Sequence, residues 1–113
     1  MDTVNQYRIY IRQILEQYAQ REYANLDAIN EIIIDREADR YQLVTIGWQR
    51  YKRIHATTLH FDIIDGKIWI QNDQTEHGIA YDLLEKGVPK EDIVLGYFHP
   101  ERRADTEFAA PLG

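Results

Sequence analysis

Apolar residues at the start of the chain recur at the spacing of an amphipathic helix. Six of them fall on one stripe of a helical wheel: Val4, Tyr7, Ile11, Ile14, Leu15 and Tyr18. Charged residues such as Arg8 and Arg21 fall on the opposite side. Thr3, followed three residues later by Gln6, fits a capping box at the start of the helix. The pattern predicts a helix over residues 3–23 that packs on the rest of the protein through its apolar stripe.

After residue 27 the apolar positions form the β-branched and alternating runs that are typical of strands. Four such runs are separated by short polar turns: residues 28–35, 40–50, 51–64 and 67–71. The pair Asp65-Gly66 is the strongest hairpin signal, because a type I′ turn needs positive φ at both central residues. Parallel neighbours need a connection of about a dozen residues or more. The short turns therefore predict a four-stranded antiparallel meander.

The last third of the chain returns to a helical pattern. Asp73 and Thr75 are candidate caps for this helix, and Gly87 is expected to end it. Residues 93–98 form a short apolar segment, which we interpret as either a strand or a buried extended stretch. The element order predicts an α+β fold with an N-terminal helix, a four-stranded antiparallel meander sheet, a C-terminal helix and an irregular tail from residue 99.

Composition narrows the class of protein. The 113 residues suit one domain, 1–113, and are 44% hydrophobic, which is too apolar for a disordered chain. Thirteen Lys and Arg against nineteen Asp and Glu give a net charge of −6, whereas a protein that holds DNA by its whole surface should be basic. Cys and Ser are both absent, which excludes disulfides, thiolate metal sites and their nucleophiles. No apolar run suits a signal peptide or a membrane span, so we expect a cytoplasmic protein.

One pattern is compatible with a metal-dependent nuclease. Lys67 follows the Asp65-Gly66 pair, and Asp62 or Asp39 would add a second carboxylate. Two carboxylates would hold a divalent cation while the lysine orients the attacking water. The Asp-Gly pair is also what a hairpin turn requires, and we favour that interpretation. The chain has no glycine-rich phosphate-binding motif either, so we expect no catalytic residues, no cofactor and no enzymatic activity.

The histidines do not suggest a metal site. His55 and His60 are five residues apart on one predicted strand. Because side chains alternate between the two faces of a sheet, this odd spacing predicts rings on opposite sides unless a bulge intervenes. His77 and His99 lie near a helix start and before a proline. We therefore expect no metal.

A short basic run coincides with large aromatic residues in the hairpin 48–55. Basic side chains between aromatic ones are suited to phosphates and to stacked bases, although a solvated turn has the same composition. Aromatic residues on an open sheet face are typical of protein interfaces. The partner-binding candidates are Trp48, Arg50, Tyr51, Arg53 and Trp69.

Several blocks together resemble the XisI family. They are residues 39–44, 47–48, 65–71, 75–76, 87–96 and 106–109. The blocks GKIWIQ and GVPKEDIVLG are the most specific, and the likeness spans essentially the whole chain. Members of the family are known as excision controlling factors of the fdxN element in filamentous cyanobacteria. The resemblance therefore implies a role in developmentally regulated, site-specific DNA excision during heterocyst differentiation.

The resemblance also implies partners but no catalytic or ligand residues. In such systems a separate recombinase performs the strand chemistry, and XisI acts with a companion factor, XisH, that resembles a nuclease fold. We expect a non-enzymatic accessory protein that binds an XisH-like protein and contacts DNA indirectly, with self-association left open. One alternative is a direct DNA-binding factor that uses Arg50, Lys52 and Arg53. The other is a metal-dependent nuclease centred on Asp65 and Lys67.

Overall fold

The computed structural model describes residues 2–111. Its helices and strands are α1 (Thr3–Ala19), β1 (Asp27–Asp35), β2 (Arg40–Gln49), β3 (Lys52–Ile64), β4 (Lys67–Asp73), α2 (Ile79–Glu85), β5 (Ile93–Leu95) and α3 (Pro100–Arg103). A 3₁₀ turn at Lys90–Asp92 precedes β5. Among the helices of this part of the chain, none has the length and apolar character that crossing a bilayer requires.

The strands form one sheet in the order β1-β2-β3-β4-β5. The pairings from β1 to β4 are antiparallel, as predicted, but β5 lies parallel to β4. The prediction of a purely antiparallel four-stranded sheet is therefore wrong at this edge. The chain crosses from β4 to β5 through α2 and the 3₁₀ turn, which is the long connection that parallel neighbours need. For the segment 93–98, the strand interpretation is confirmed over Ile93–Leu95.

Helix α1 starts one residue away from the predicted cap. Asp2 is the N-cap, and its Oδ1 accepts the Val4 N–H at 3.0 Å, so Thr3 is already helical. The predicted apolar stripe is confirmed, with its buried members being Tyr7, Ile11, Ile14, Leu15 and Tyr18.

The same helix ends at Ala19, short of the predicted residue 23. The Tyr18 carbonyl accepts the Arg21 N–H at 3.2 Å and the Asn30 side-chain Nδ2 at 3.1 Å. A side chain from β1 thus satisfies a carbonyl of the last turn. The sequence of the helix alone does not contain this stop signal.

Two turns follow the sequence prediction. Asp65 and Gly66 have φ of 50° and 77°, and they join the paired residues Ile64 and Lys67, as the type I′ prediction requires. Gly87 ends α2 with a φ of 101°. Both predictions are confirmed. These features could be predicted because each depends on residues that are adjacent in the chain.

Helix α2 is held at both ends by short-range bonds. The N-cap is Gly78, so the prediction of Asp73 or Thr75 at this position is wrong. Asp73 nevertheless accepts the Ile79 N–H at 2.8 Å from outside the helix. After Gly87, the Val88 N–H donates to the Leu83 carbonyl at 3.1 Å in a Schellman arrangement.

Helices α1 and α2 cover one face of the sheet, which we call the helix face. The largest side chains buried there include Ile11, Ile14, Leu15, Leu43, Leu59, Phe61, Ile68, Ile70, Ile79, Leu83 and Ile93. The opposite side of β1 to β3 is the open face, since side chains that are paired across strands share a face. By register the open face carries Asp27, Ile29, Glu31, Ile33, Gln42, Val44, Ile46, Trp48, Arg53, His55, Thr57, His60 and Asp62.

The tail after residue 99 is more ordered than predicted. It forms the short helix α3, and Ala109 makes a parallel bridge with Val94 on β5. Val94 is fully buried although it does not belong to the main core cluster. The tail therefore covers the β5 edge of the sheet on the side away from the helices.

Candidate functional site

The hairpin between β2 and β3 extends past the end of α1. We call residues 48–55 the hairpin arm. The Tyr18 carbonyl, in the last turn of α1, accepts a hydrogen bond from Asn30, and Asn30 pairs with Thr45. Helix α1 therefore ends near Thr45 and does not cover the residues of β2 that follow it. Every arm residue except the half-buried Ile54 is exposed. The radius of gyration is 14.7 Å, against about 13 Å for a compact domain of this length.

The tip of the arm is a two-residue turn with an unusual backbone. Arg50 has a φ of 57°, a left-handed conformation that glycine adopts far more readily than arginine. Tyr51 beside it is 98% exposed, which leaves nearly the whole aromatic ring in solvent. An exposed aromatic ring next to a strained cationic residue is more typical of a contact surface than of a turn selected for stability.

Trp48 and Arg53 form a pair behind the tip. They face each other across β2 and β3 on the open face, and the Arg53 guanidinium lies 5.0 Å from the centre of the Trp48 ring system. Trp48 remains 45% exposed. The cation–π contact holds two long side chains in place while leaving the ring accessible.

The charge of the arm differs from that of the rest of the chain. Arg50, Lys52 and Arg53 are three of the thirteen basic side chains, and residues 48–55 include none of the nineteen acidic ones. The remainder therefore has ten basic against nineteen acidic residues, a net charge of −9. The arm is a basic and aromatic projection on an acidic body.

Trp69, the fifth candidate, does not join the arm. It pairs with Asp62, which pairs with Arg40 at the opposite end of β2 from Trp48. Eight residues of β2 separate the two positions, a distance of about 26 Å along the strand. The Arg103 guanidinium lies 4.9 Å from the Trp69 ring centre and covers it. The structure brings together Trp48, Arg50, Tyr51 and Arg53 only.

The two strand histidines lie on the same face of the sheet, contrary to the prediction. His55 pairs with Ile46 and His60 with Gln42, four residues apart on β2. A register shift leaves Thr58 as an extra residue in β3, and this bulge reverses the alternation between the two histidines. They are still about 13 Å apart along the strand. Within residues 2–111, no group of three or more His, Cys, Asp or Glu is placed to hold a metal ion.

The two carboxylates that the nuclease alternative offers beside Asp65 lie in different surroundings. Asp39 faces α1, where the Arg8 Nε donates to its Oδ1 at 2.8 Å and lowers the pKa of the Asp39 carboxyl. Asp62 lies on the open face. Lys67 begins β4, and its Nζ donates to the Glu91 carbonyl of the 3₁₀ turn at 3.0 Å. The two carboxylates thus point to opposite sides of the sheet.

A polar cluster that the sequence did not indicate joins the two helices. The Tyr18 hydroxyl donates to Asp82 Oδ2 at 3.0 Å, and His77 Nε2 lies 2.8 Å from Asp82 Oδ1. Burial and the hydrogen bond to Asp82 raise the pKa of Tyr18 to about 12. A cavity of about 590 Å³ opens beside it, with walls that include Thr45, Thr58 and His77. His77 and Asp82 are five residues apart, but Tyr18 is 64 residues from Asp82, so no local pattern could have grouped all three.

Comparisons with known proteins agree with this architecture. The XisI protein family matches residues 1–110. A crystal structure of a XisI-like protein from Anabaena variabilis ATCC 29413 has a TM-score of 0.87 and 37% sequence identity, over 97% of this chain and 100% of that one. The structure of the fdxN element excision controlling factor XisI from the same organism has a TM-score of 0.82 and 35% identity, over 97% and 100%. No curated protein matches the chain. On the family match over residues 1–110, this chain belongs to the XisI family.

Proposed function

We propose that this chain is a non-enzymatic accessory factor in site-specific DNA excision, and that it acts by binding an XisH-like partner protein through the hairpin arm. The observation that carries the proposal is the exposure of Trp48, Tyr51 and Arg53 together on an element that extends past the helices. Tryptophan, tyrosine and arginine are the residues most enriched among the energetic anchors of protein interfaces. A relative with the same fold is described as an excision controlling factor, which supports the biological setting.

The structure also supports the choice of a protein partner over DNA as the main contact. The body carries nine excess negative charges, and the tip carries three positive ones. A DNA backbone that met the tip would be repelled by the body beyond it. A protein partner with a local acidic patch needs only the tip.

Co-expression with an XisH-like companion, followed by size-exclusion chromatography, tests the proposal. We expect the two proteins to co-elute at micromolar concentration. Tyr51→Ala combined with Trp48→Ala should weaken the complex by at least about 30-fold, the range of anchor residues. Tyr97→Ala is the matched control, because Tyr97 is also half-exposed but lies beyond β5, away from the arm. Separate elution of the wild-type proteins would contradict the proposal.

A second function, direct binding of DNA by the arm, is favoured by one observation. The three cations Arg50, Lys52 and Arg53 lie within four residues of one hairpin and beside two exposed aromatic rings. Such an arrangement suits phosphates and stacked bases. The function predicts salt-dependent binding whose log–log slope falls by about one for each phosphate contact removed by alanine. Arg12→Ala on α1 is the control, and a slope that the triple alanine variant does not change would exclude this function.

A further inference from the structure

Strand β1 is an edge of the sheet that carries exposed isoleucines. It pairs with β2 on one side, and no other strand of the described residues lies on its second side. Alternate residues of this nine-residue strand therefore direct backbone N–H and C=O groups outward. Ile29 is 61% and Ile33 is 47% exposed, both on the open face. Long apolar edges are normally blocked or covered, because they pair readily with another chain.

The open-face side chains of β1 follow a regular order. Asp27, Ile29, Glu31, Ile33 and Asp35 alternate acidic and aliphatic, so that carboxylates recur every fourth residue. The Asp35 carboxylate accepts the backbone N–H groups of the following turn. Asp27 and Glu31 have no ion-pair partner among residues 2–111. The edge therefore presents two uncompensated carboxylates interleaved with two isoleucines.

This order disfavours a second copy of the chain as the occupant of the edge. An antiparallel pairing centred on Glu31 would place Glu31 opposite its own copy and Asp27 opposite the copy's Asp35. A parallel pairing in register would likewise place each carboxylate beside its copy. Like charges that face each other across strands are destabilising. A shift of two residues separates the charges but places each isoleucine opposite a carboxylate, and a shift of one residue turns the side chains to the other face.

A partner strand of complementary order has none of these conflicts. Basic residues opposite Asp27 and Glu31 would form cross-strand ion pairs, and aliphatic residues between them would cover Ile29 and Ile33. We propose that β1 is the docking edge for an extended segment of a partner protein in which basic and aliphatic residues alternate on one face. The added strand would gain main-chain hydrogen bonds along the edge, while the side-chain order sets its specificity. This inference rests on the proposed function and assigns the partner a second contact, separate from the hairpin arm.

A synthetic peptide tests the edge without knowledge of the partner. The probe has nine residues, with Lys at positions 1, 5 and 9, Ile at 3 and 7, and Thr elsewhere, and the control peptide has Glu in place of Lys. We expect the full chain to bind the Lys peptide in calorimetry and to prefer it over the Glu peptide. Glu31→Lys should weaken Lys-peptide binding by about tenfold and reverse the preference. Glu101→Lys makes the same change in net charge on α3 and should leave the preference intact.

Amide hydrogen exchange locates the peptide. Added Lys peptide should slow exchange at alternate residues of β1 and leave β5 unchanged. Equal binding of both peptides, or protection away from β1, would overturn the inference. So would concentration-dependent protection of β1 in the chain alone, since that would identify a second copy as the occupant. If the peptide does not bind but the companion co-elutes through the arm, the edge inference fails while the proposed function stands. If the peptide binds as expected and the companion elutes separately, only the proposed function fails.

Discussion

Strands β2 and β3 each pass through two very different environments. In the helix-covered body, Leu43 of β2 and Leu59 and Phe61 of β3 are almost fully buried under α1. In the hairpin arm, the same two strands carry Trp48, Tyr51 and Arg53 with their side chains in solvent. The change takes place within about six residues of each strand, near the end of α1.

The difference between the two environments shows which side chains can be selected for binding without loss of stability. Side chains under the helices are fixed by packing, because an interior at the density of a crystal tolerates few changes of volume. Side chains on the arm are held by the hairpin backbone but are not needed to fill the core. Contact residues can therefore be selected on the arm at little cost to folding. Four experiments test this contrast, from the largest expected effect to the smallest.

Removal of the ring of Phe61 should have the largest effect. Phe61 is 0% exposed, so Phe61→Ala should lower the free energy of unfolding by about 3–5 kcal/mol. Tyr51→Ala removes an aromatic ring from the arm and should change the same quantity by no more than about 0.5 kcal/mol. Urea denaturation of both variants measures the contrast. Comparable losses for the two variants would show that the arm takes part in the fold.

Alkaline pH should reveal the polar cluster between the helices. The pKa of Tyr18 is about 12 in the folded protein, against 10 for an ordinary tyrosine. The folded state therefore retains this proton while the unfolded state loses it, and stability should fall as pH rises from 10 to 12. Tyr18→Phe should make this loss of stability smaller by an amount on the order of 2 kcal/mol. Denaturation midpoints at a series of pH values measure it, with Tyr51→Phe as control; an unchanged slope in Tyr18→Phe would contradict the prediction.

A substitution in the hairpin turn between β3 and β4 should have a smaller effect on stability. Gly66 has a φ of 77°, and a Cβ built on it would meet nothing within 4 Å. Gly66→Ala should therefore cost about 1–2 kcal/mol through backbone strain alone. Equilibrium denaturation is the measurement. No loss of stability would indicate that this turn relaxes to another type.

The sequence was sufficient for features that depend on neighbouring residues. The Asp65-Gly66 turn, the end of α2 at Gly87 and the apolar stripe of α1 follow from spacing and local backbone preference, and all three are present. The parallel strand β5 was missed as a member of the sheet, since three apolar residues give too little pattern to fix a pairing. The length of the connection from β4 was the available signal.

Features that depend on contacts between distant segments could not be predicted. The bulge at Thr58 depends on how β3 pairs with β2, and no residue within β3 predicts it. The early end of α1 depends on an amide from β1. For the site, composition marks residues 48–55 as basic and aromatic and adds Trp69 as a further candidate, but the sequence cannot show that Arg103 covers the Trp69 ring. A local sequence pattern cannot predict that a side chain distant in the sequence will cover a residue.

The tip of the arm allows the sharpest test of the contrast. Arg50 adopts a φ of 57° with a full side chain, whereas the β3–β4 turn places aspartate and glycine at its positive-φ positions. Arg50→Gly should relieve about 1–2 kcal/mol of strain and lose about 0.4–1 kcal/mol through the greater freedom of the unfolded chain. The net result should be a gain in stability of about 0.5–1 kcal/mol, measured by urea denaturation.

If the arm binds the partner as proposed, the same substitution should weaken that binding, because it removes a cation from the proposed contact surface. Arg50→Lys keeps the charge and the strain, so it should leave both stability and binding near those of the wild type. If Arg50→Gly is more stable than the wild type and binds the partner less well, then Arg50 was selected for contact and not for folding. If Arg50→Gly lowers stability, the arginine supports the turn in a way that the backbone angle does not reveal, and the division between body and arm fails at the tip.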